Sequence, residues 1–378
     1  MKFSQPKTAR TINRLRVLNI LAQDGAQSRA DIARSLSLNK PSTSEIVEEL
    51  LNEQLVVEEG KAITSSGRRP IVISLKSDAR LVIGVEMGSR STTFLLSDLT
   101  GKILRFERIP TSMQPDAKEL GQKIIRTCMK LKTLATAPIA GITIATNSEV
   151  SDDGKSILRD EYWNWKDVPI AQAIEAHLQT PAILVSSVQA MVEAERWFGN
   201  EQATSFFYVN WAEHIGSAWV QGTSITSQRS KFGHLPIAST GLCRCGGIGC
   251  LETLSAGWAV SEKHQGVSVK QLAQSQDKAV VNTLLAAADA MGMALLAASV
   301  VTGCEKIILG GGLSNLPSVY FDRVATFYHE HAHRTLKGIP IERSSLKEQS
   351  SHLGSVAVSL DRWVFQRTLL DTMKHLGR

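Results

Sequence analysis

The chain has 378 residues, 43% hydrophobic and 21% charged, with a formal charge of +6. That length suits about two or three domains, and the composition permits a sizeable core, which excludes a globally disordered chain. No apolar run approaches the ~18–20 residues of a membrane-spanning helix and no signal-peptide core is present, so a cytoplasmic protein is expected, with no membrane contact.

Charge is uneven along the chain. Residues 1–40 hold eight Lys/Arg against two Asp, which equals the whole net charge, and this points to a polyanion as partner of that end. Ile12, Leu15, Leu18 and Leu21 recur at helical spacing up to the Asp24-Gly25 stop. Ser28 caps a short helix over 29–35, residues 36–39 turn, and a third helix runs from Lys40 to about Gln54 with Pro41 in its first turn. Thr43, Ile46, Val47, Leu50 and Leu51 form its inner stripe, residues 55–57 read as a short strand and 58–61 as a turn. Three helices and a hairpin make a winged helix-turn-helix, whose third helix enters the DNA major groove. Its outward residues are Lys40, Pro41, Ser42, Ser44 and Glu45, suited to phosphate, guanine and cytosine contacts. Ser66-Gly67-Arg68-Arg69-Pro70 follows as an extended basic arm, with Arg68 and Arg69 suited to an A·T-rich minor groove.

A boundary is expected near 74–79, giving a DNA-binding domain over 1–75. Strands then read at 81–86, 92–97, 102–109, 139–145 and 182–186, with helices near 116–135, 170–178 and up to Phe198. Strands resume at 205–209 and 216–221, a long helix covers about 280–302, and strand 306–309 ends in Gly310-Gly311-Gly312. Three strands, a helix, a strand and a helix occurring twice is an internal duplication of α/β type, matching the two-lobed actin/hexokinase architecture with its ligand cleft between lobes. The lobes are placed at 80–199, with a C-terminal helix over 355–378, and at 200–354. The segment 353–376, with Val356, Leu360, Val364 and Leu369, is long and apolar enough to join a dimer or lobe interface. Trp163, Trp165 and Trp211 can either stack on a ligand or pack inside.

Five cysteines in so long a chain do not make a disulfide scaffold. Three of them, Cys243, Cys245 and Cys250, fall within eight residues, with His234 nine residues upstream of the first. Three thiolates and an imidazole suit tetrahedral zinc with no open position, so the metal is structural. Glycines between the thiols let the loop fold back on itself. By spacing alone, His234 is also compatible with an ordinary packed histidine.

The C-x-C-G-x-x-G-C-x-E run from Cys243 to Glu252, the preceding Gly233-His234, the Asn164-Trp165-Lys166-Asp167-Val168-Pro169 stretch and Leu309-Gly310-Gly311-Gly312 resemble the ROK family of repressors, open reading frames and kinases. The N-terminal helix-turn-helix places the resemblance, which covers nearly the whole chain, on the repressor branch. It implies that His234 is the fourth zinc ligand and that the chain is a repressor of sugar-related genes, binding double-stranded operator DNA as a homodimer or dimer of dimers.

Family kinases carry a D-x-G-G-T phosphate turn, an Asn-Asp pair whose Asp is the general base, and an A-G-E-x-G-H segment. Here the turn reads Glu86-Met87-Gly88-Ser89-Arg90, the pair aligns with Ser186-Ser187, and Arg229-Ser230-Lys231 precedes Phe232-Gly233-His234. The second phosphate loop aligns with Trp211-Ala212-Glu213-His214-Ile215-Gly216. A serine hydroxyl cannot act as that base, so no enzyme activity is expected. For an effector, the resemblance points to Ser186, Ser187, Lys231, His234 and Glu252. Arg229 and Lys231 suit a sugar phosphate or sugar acid over a neutral sugar, whereas a Lys231–Glu252 pair would close the pocket and leave a protein partner in control.

Overall fold

A computed structural model describes residues 6–61, 71–160, 162–199, 201–227, 230–347 and 349–370. The chain divides into two compact units, one of residues 1–144, 169–183 and 356–378, the other of 145–168 and 184–355.

The first unit opens with α1 (Pro6–Asp24), β1 (Gln27–Ser28), α2 (Arg29–Ser35), α3 (Lys40–Asn52), β2 (Val56–Lys61) and β3 (Ile71–Leu75). Helical spacing puts Leu15, Leu18 and Leu21 on one face of α1, buried with Ile32 and Ala33 of α2 and Ile46, Val47 and Leu50 of α3. The Ser28 hydroxyl caps α2 by accepting from the Asp31 N–H, and the Asn39 side chain caps α3 by accepting from the Ser42 N–H at 2.8 Å. The strands pair antiparallel in the order β1-β3-β2. Residues 58–61, expected as a turn, instead prolong β2: Glu58 pairs with Ile73 and Lys61 with Ile71 across an irregular register. Gly60, at φ +55°, supplies the left-handed step that such a bulge needs.

The same unit is built on a five-stranded sheet in the order Ala182–Ser186, Ile139–Thr146, Leu81–Met87, Ser91–Ser97 and Ile103–Pro110. Helix Gln349–Leu360 brings Ser359 to it, whose hydroxyl donates to Thr143 Oγ1 at 2.8 Å. Val356 and Leu360 are completely buried, so they belong to the core and offer no dimer surface. The expected continuous segment over 353–376 is broken. The helix widens into a π turn over Asp361–Phe365, and the chain reverses at Gln366 with φ +46°. The Asp361 carboxylate there accepts from the Arg367 N–H at 2.6 Å. Gly141 leaves room for the Trp363 ring, which would lie only 2.3 Å from a Cβ at that position.

The second unit carries a sheet in the order Ser224–Thr226, Ile215–Gln221, Ser205–Trp211, Ile307–Gly310 and Ile341–Arg343. Its first three strands are antiparallel and its last two are added in parallel. Two such sheets are the duplication expected of a hexokinase-like fold. Beside this sheet lies helix Lys278–Thr302, which buries Leu284, Ala288, Met291, Ala294 and Leu295. At 25 residues it is long and apolar enough to cross a bilayer, correcting the reading that no run reaches that length; half of its apolar window is buried inside the protein. Asp289, the one charged side chain between Ala279 and Thr302, pairs with Arg323. A third, small sheet joins Glu149–Val150, Ile157–Asp160 and Trp165–Val168.

Candidate DNA-binding surface and metal centre

The first turns of α3 present the five residues singled out from the sequence. Lys40, Pro41 and Glu45 are exposed, Ser42 and Ser44 half-buried, and Thr43 turns inward, its hydroxyl donating to the Asn39 carbonyl at 3.0 Å. Arg68 and Arg69 lie outside the described residues.

The basic N-terminal end requires correction. Residues 1–60 contain eight Lys/Arg and eight Asp/Glu. Glutamates on the exposed face of α3 neutralise the arginines of α1 and α2. Arg10 donates to Glu49 at 2.9 Å and to Glu45 at 3.2 Å, Arg14 pairs with Glu53, and Arg29 bridges Glu48 at 2.6 Å and Glu58 at 2.9 Å. Glu45 is therefore held by Arg10 in the free protein. Lys40 makes no ion pair among the described residues, so it is the cation of α3 open to a phosphate.

In the second unit, His234 ends a short 3₁₀ turn, Phe232–His234, and the loop that follows closes through bridges of Pro236 to Cys250 and Leu242 to Ile248. Gly249, at φ +70°, passes so close to the Ala238 carbonyl that a Cβ would lie 1.7 Å from its oxygen. Only glycine fits there. The Cys243 N–H donates to the Gly247 carbonyl at 2.8 Å, and the Gly247 N–H points at Cys245 Sγ at 3.4 Å.

This folding gathers one ligand atom each from His234, Cys243, Cys245 and Cys250 within 4.8 Å of one another. Cys245 and Cys250 sulfurs are 3.8 Å apart, and Cys243 Sγ is 3.6 Å from His234 Nδ1. A tetrahedral ion with bonds of about 2.3 Å to sulfur and 2.0–2.1 Å to nitrogen needs separations of about 3.8 and 3.6 Å, so the donor set fits. Burial pushes the Cys243 thiol up to about 12, and burial together with Cys245 also raises that of Cys250. Ionising these thiols together calls for a cation among them. The remaining two cysteines, Cys128 and Cys304, are buried singly.

Glu252, two residues past the last thiol, is only 4% exposed. Its carboxylate accepts from the Ile215 N–H at 2.7 Å and from Trp258 Nε1 at 3.1 Å, with His214 Nδ1 at 3.6 Å. Burial pushes its carboxyl up, but His214 and the Ile215 N–H outweigh this and hold it below the ordinary range. The alternative Lys231–Glu252 pair is not made. Lys231 is exposed, so it needs no buried counter-charge, and Glu252 is satisfied from within its own neighbourhood. Arg229 lies outside the described residues. Sequence reasoning missed His214 and Trp258 as the partners of Glu252. The signal was the histidine in the second phosphate-loop position.

Close packing relates the other singled-out residues. A Cβ on Gly233 would lie 2.4 Å from the Ile215 carbonyl oxygen and 3.1 Å from Glu252 Cγ, and one on Gly216 would lie 2.6 Å from Val188. Ser186 occupies the N-cap position of helix Ser187–Trp197 without a side-chain capping bond, and Ser187 is buried in its first turn beside Val188. Helix 187–197, the 211–216 hairpin, Glu252 and His234 therefore form one neighbourhood. That hairpin is filled by protein: Ala212 and Glu213 carbonyls accept from Gly257 and Trp258, and the Tyr162 ring lies 5.7 Å from that of His214. The three candidate stacking tryptophans are buried: Trp163 and Trp165 pack at 4.8 Å between centroids, and Trp211 Nε1 donates to the Ser255 carbonyl.

Residues 82–362 match the ROK family. The chain belongs to the ROK family. Residues 10–57 match the winged helix-turn-helix DNA-binding domain. A putative xylose repressor of Caldicellulosiruptor sp. (strain Rt8B.4) is 24% identical, over 92% of this chain and 95% of its own. Among solved structures, a ROK family transcriptional regulator described as a homologue of the E. coli MLC protein superposes with a TM-score of 0.82. It is 18% identical and covers 97% of this chain and 99% of its own. A ROK hexokinase from Thermus thermophilus superposes with a TM-score of 0.60 at 22% identity, over 74% of this chain and 97% of its own. This ROK chain thus pairs the hexokinase-like fold with a DNA-binding domain.

Proposed function

We propose that this ROK-family chain is a transcriptional repressor of sugar-related genes whose kinase-like domain has become a non-catalytic sensor. The observation that carries the reading is the winged helix-turn-helix joined to a ROK domain; Ser187, buried and without an ionisable group, is at the position to which the resemblance assigns the kinases' base. The name of the repressor relative, matched over most of both chains, supports it. Residues 1–75 read operator DNA through Lys40, Pro41, Ser42, Ser44 and Glu45, with Arg68 and Arg69 in the minor groove. The lobes at 80–199 and 200–354 sense the effector.

His234, Cys243, Cys245 and Cys250 hold a structural zinc, which ties the loop to the Glu252 neighbourhood. Since His234 and Glu252 are engaged internally, Ser186, Ser187 and Lys231 remain to meet a ligand. One recognition helix reads too few base pairs for genomic specificity, so the protein acts as a cytoplasmic homodimer on a pseudo-palindrome. Sequencing the genomic fragments retained by the purified protein tests this reading. One shared inverted repeat beside sugar genes is expected; ATP-dependent phosphorylation of a sugar, or no fragment enrichment, contradicts it.

A further inference from the structure

A hollow of about 520 Å³ lies between the hairpin of strands Ile157–Asp160 and Trp165–Val168 and the metal loop. Its walls include Arg159, Lys166, Arg244, Asp160, Asn164 and Cys245. The volume falls within the ~300–1,000 Å³ common for small-molecule sites. Of the residues considered above for effector contact, only Trp165, itself buried, lines it.

Its charge is unusual in its arrangement. Arg159 and Lys166 are directly opposite each other in the hairpin register. Like charges so placed repel and cost stability. Both are exposed, and neither has an ion-pair partner among the described residues. Arg244 is held in place: its guanidinium stacks 4.4 Å from the Trp258 ring centroid and donates to Glu262 at 2.5 Å. The one described acid of the lining has both carboxylate oxygens engaged by other groups. Asp160 Oδ2 accepts from the Ser148 hydroxyl at 2.6 Å and Oδ1 from the Trp163 N–H at 2.7 Å. Asn164 adds an amide from the turn of the hairpin, at φ +55° in the left-handed region that Asn adopts readily. Part of this positive charge faces Cys245, whose cluster with a dication and three thiolates carries a net negative charge. That accounts for Arg244, next to Cys245 in the chain, and leaves the Arg159–Lys166 pair unexplained.

We propose that this hollow is an anion site, in which Arg159, Lys166 and Arg244 grip the phosphate of a phosphorylated monosaccharide and Asn164 hydrogen-bonds to the sugar. Guanidinium groups suit phosphate by forked, charge-assisted hydrogen bonds, and a dianion relieves the repulsion across the hairpin. The role of such a ligand as effector rests on the repressor reading; its binding does not.

Titration calorimetry on the full-length, zinc-loaded chain tests it with glucose 6-phosphate, glucose and inorganic phosphate at fixed salt. Saturable 1:1 binding of glucose 6-phosphate is expected, with weaker binding of inorganic phosphate and none of glucose. Arg159→Ala with Lys166→Ala raises Kd at least tenfold, and Lys166→Glu alone does the same, while zinc content is unchanged and melting does not fall, since the cross-strand repulsion is relieved. No heat with either phosphate, or an unaltered Kd in both variants, overturns the site. Equal affinity for glucose 6-phosphate and inorganic phosphate would mark diffuse charge attraction and also overturn it. DNA binding by the same preparation without ligand is read separately. DNA binding retained with phosphate binding absent defeats the anion site alone; phosphate bound with no DNA binding defeats the repressor reading alone.

Discussion

Asn19, in the first helix of the DNA-binding domain, donates a 2.7 Å hydrogen bond to the carbonyl of Phe365, 346 residues later in the chain. Its side chain also donates to the Leu15 carbonyl at 2.8 Å and accepts from Arg367 Nε at 2.9 Å. Phe365 closes the π turn after helix Gln349–Leu360, and that helix is tied to the sheet through Ser359. Within the first unit, a polar joint therefore connects the helix that supports α3 to the C-terminal segment.

Replacing Asn19 by Ala removes a buried amide that donates to the Leu15 and Phe365 carbonyls and accepts from Arg367. Such a loss costs about 1–3 kcal/mol. Asn19→Ala is expected to lower the urea midpoint accordingly; an unchanged midpoint would show that the joint contributes nothing.

On the proposed reading, zinc holds the loop of Cys243, Cys245 and Cys250. Leu242 and Ile248 at its tip are 77% and 63% exposed, so the loop has little core of its own. Cys243→Ser is expected to abolish stoichiometric zinc, measured by mass spectrometry of the purified protein, and to lower the melting temperature by several degrees. Gly249→Ala is expected to do the same without touching a ligand, because its Cβ would collide with the Ala238 carbonyl. Full zinc content in Gly249→Ala would contradict the loop geometry.

Glu195 supplies a pH test. It is buried, with its carboxylate accepting from Ser344 and, at 3.0 Å, from Ser345. Burial pushes its carboxyl above the ordinary value, and the serine hydrogen bonds offset this only in part. A raised folded-state value favours the protonated form in the fold. Its contribution is complete below the unfolded value of about 4.3 and is lost as pH rises through the folded value. Glu195→Gln mimics the protonated acid, so its stability relative to wild type improves from about pH 4 to pH 7. Denaturant melts at both values check this; the opposite trend would mean that the carboxylate is the favoured form.

Lys40 and Arg10 separate contact from scaffold. Lys40 is an unpaired exposed cation on α3, whereas Arg10 is bound to Glu45 and Glu49. Lys40→Ala is expected to weaken DNA binding and to reduce the salt slope by about 1. Arg10→Ala frees Glu45 and Glu49 beside the DNA face, so any weakening should come from their repulsion of phosphate and be relieved by adding Glu49→Gln. Anisotropy titrations across salt concentration compare them. Equal slopes for Lys40→Ala and wild type would remove Lys40 from the phosphate contacts.

Much of this was legible in the residues because it rests on local patterns. Helical spacing placed α1 to α3, Pro41 marked the start of α3, and three thiols in eight residues with a nearby histidine marked the cluster that could hold a metal. What escaped depends on partners distant in sequence. Counting charge over residues 1–40 stopped short of the six glutamates at 45–59 that neutralise it. The Lys231–Glu252 pairing failed because Glu252 is claimed by a backbone N–H and an indole that no spacing reveals. The continuous C-terminal helix failed at Gln366, where the chain reverses through a left-handed residue that carries no glycine signal.

On the proposed reading, a sugar-kinase fold here reads DNA and no longer transfers phosphate. The most direct test is an operator titration: zinc-loaded full-length protein against a fragment enriched from its own genome and a scrambled fragment of equal length, at physiological salt. The account predicts at least ~10³-fold preference for the enriched fragment, by a species whose mass is that of a dimer or larger. Equal affinity for both fragments would contradict it.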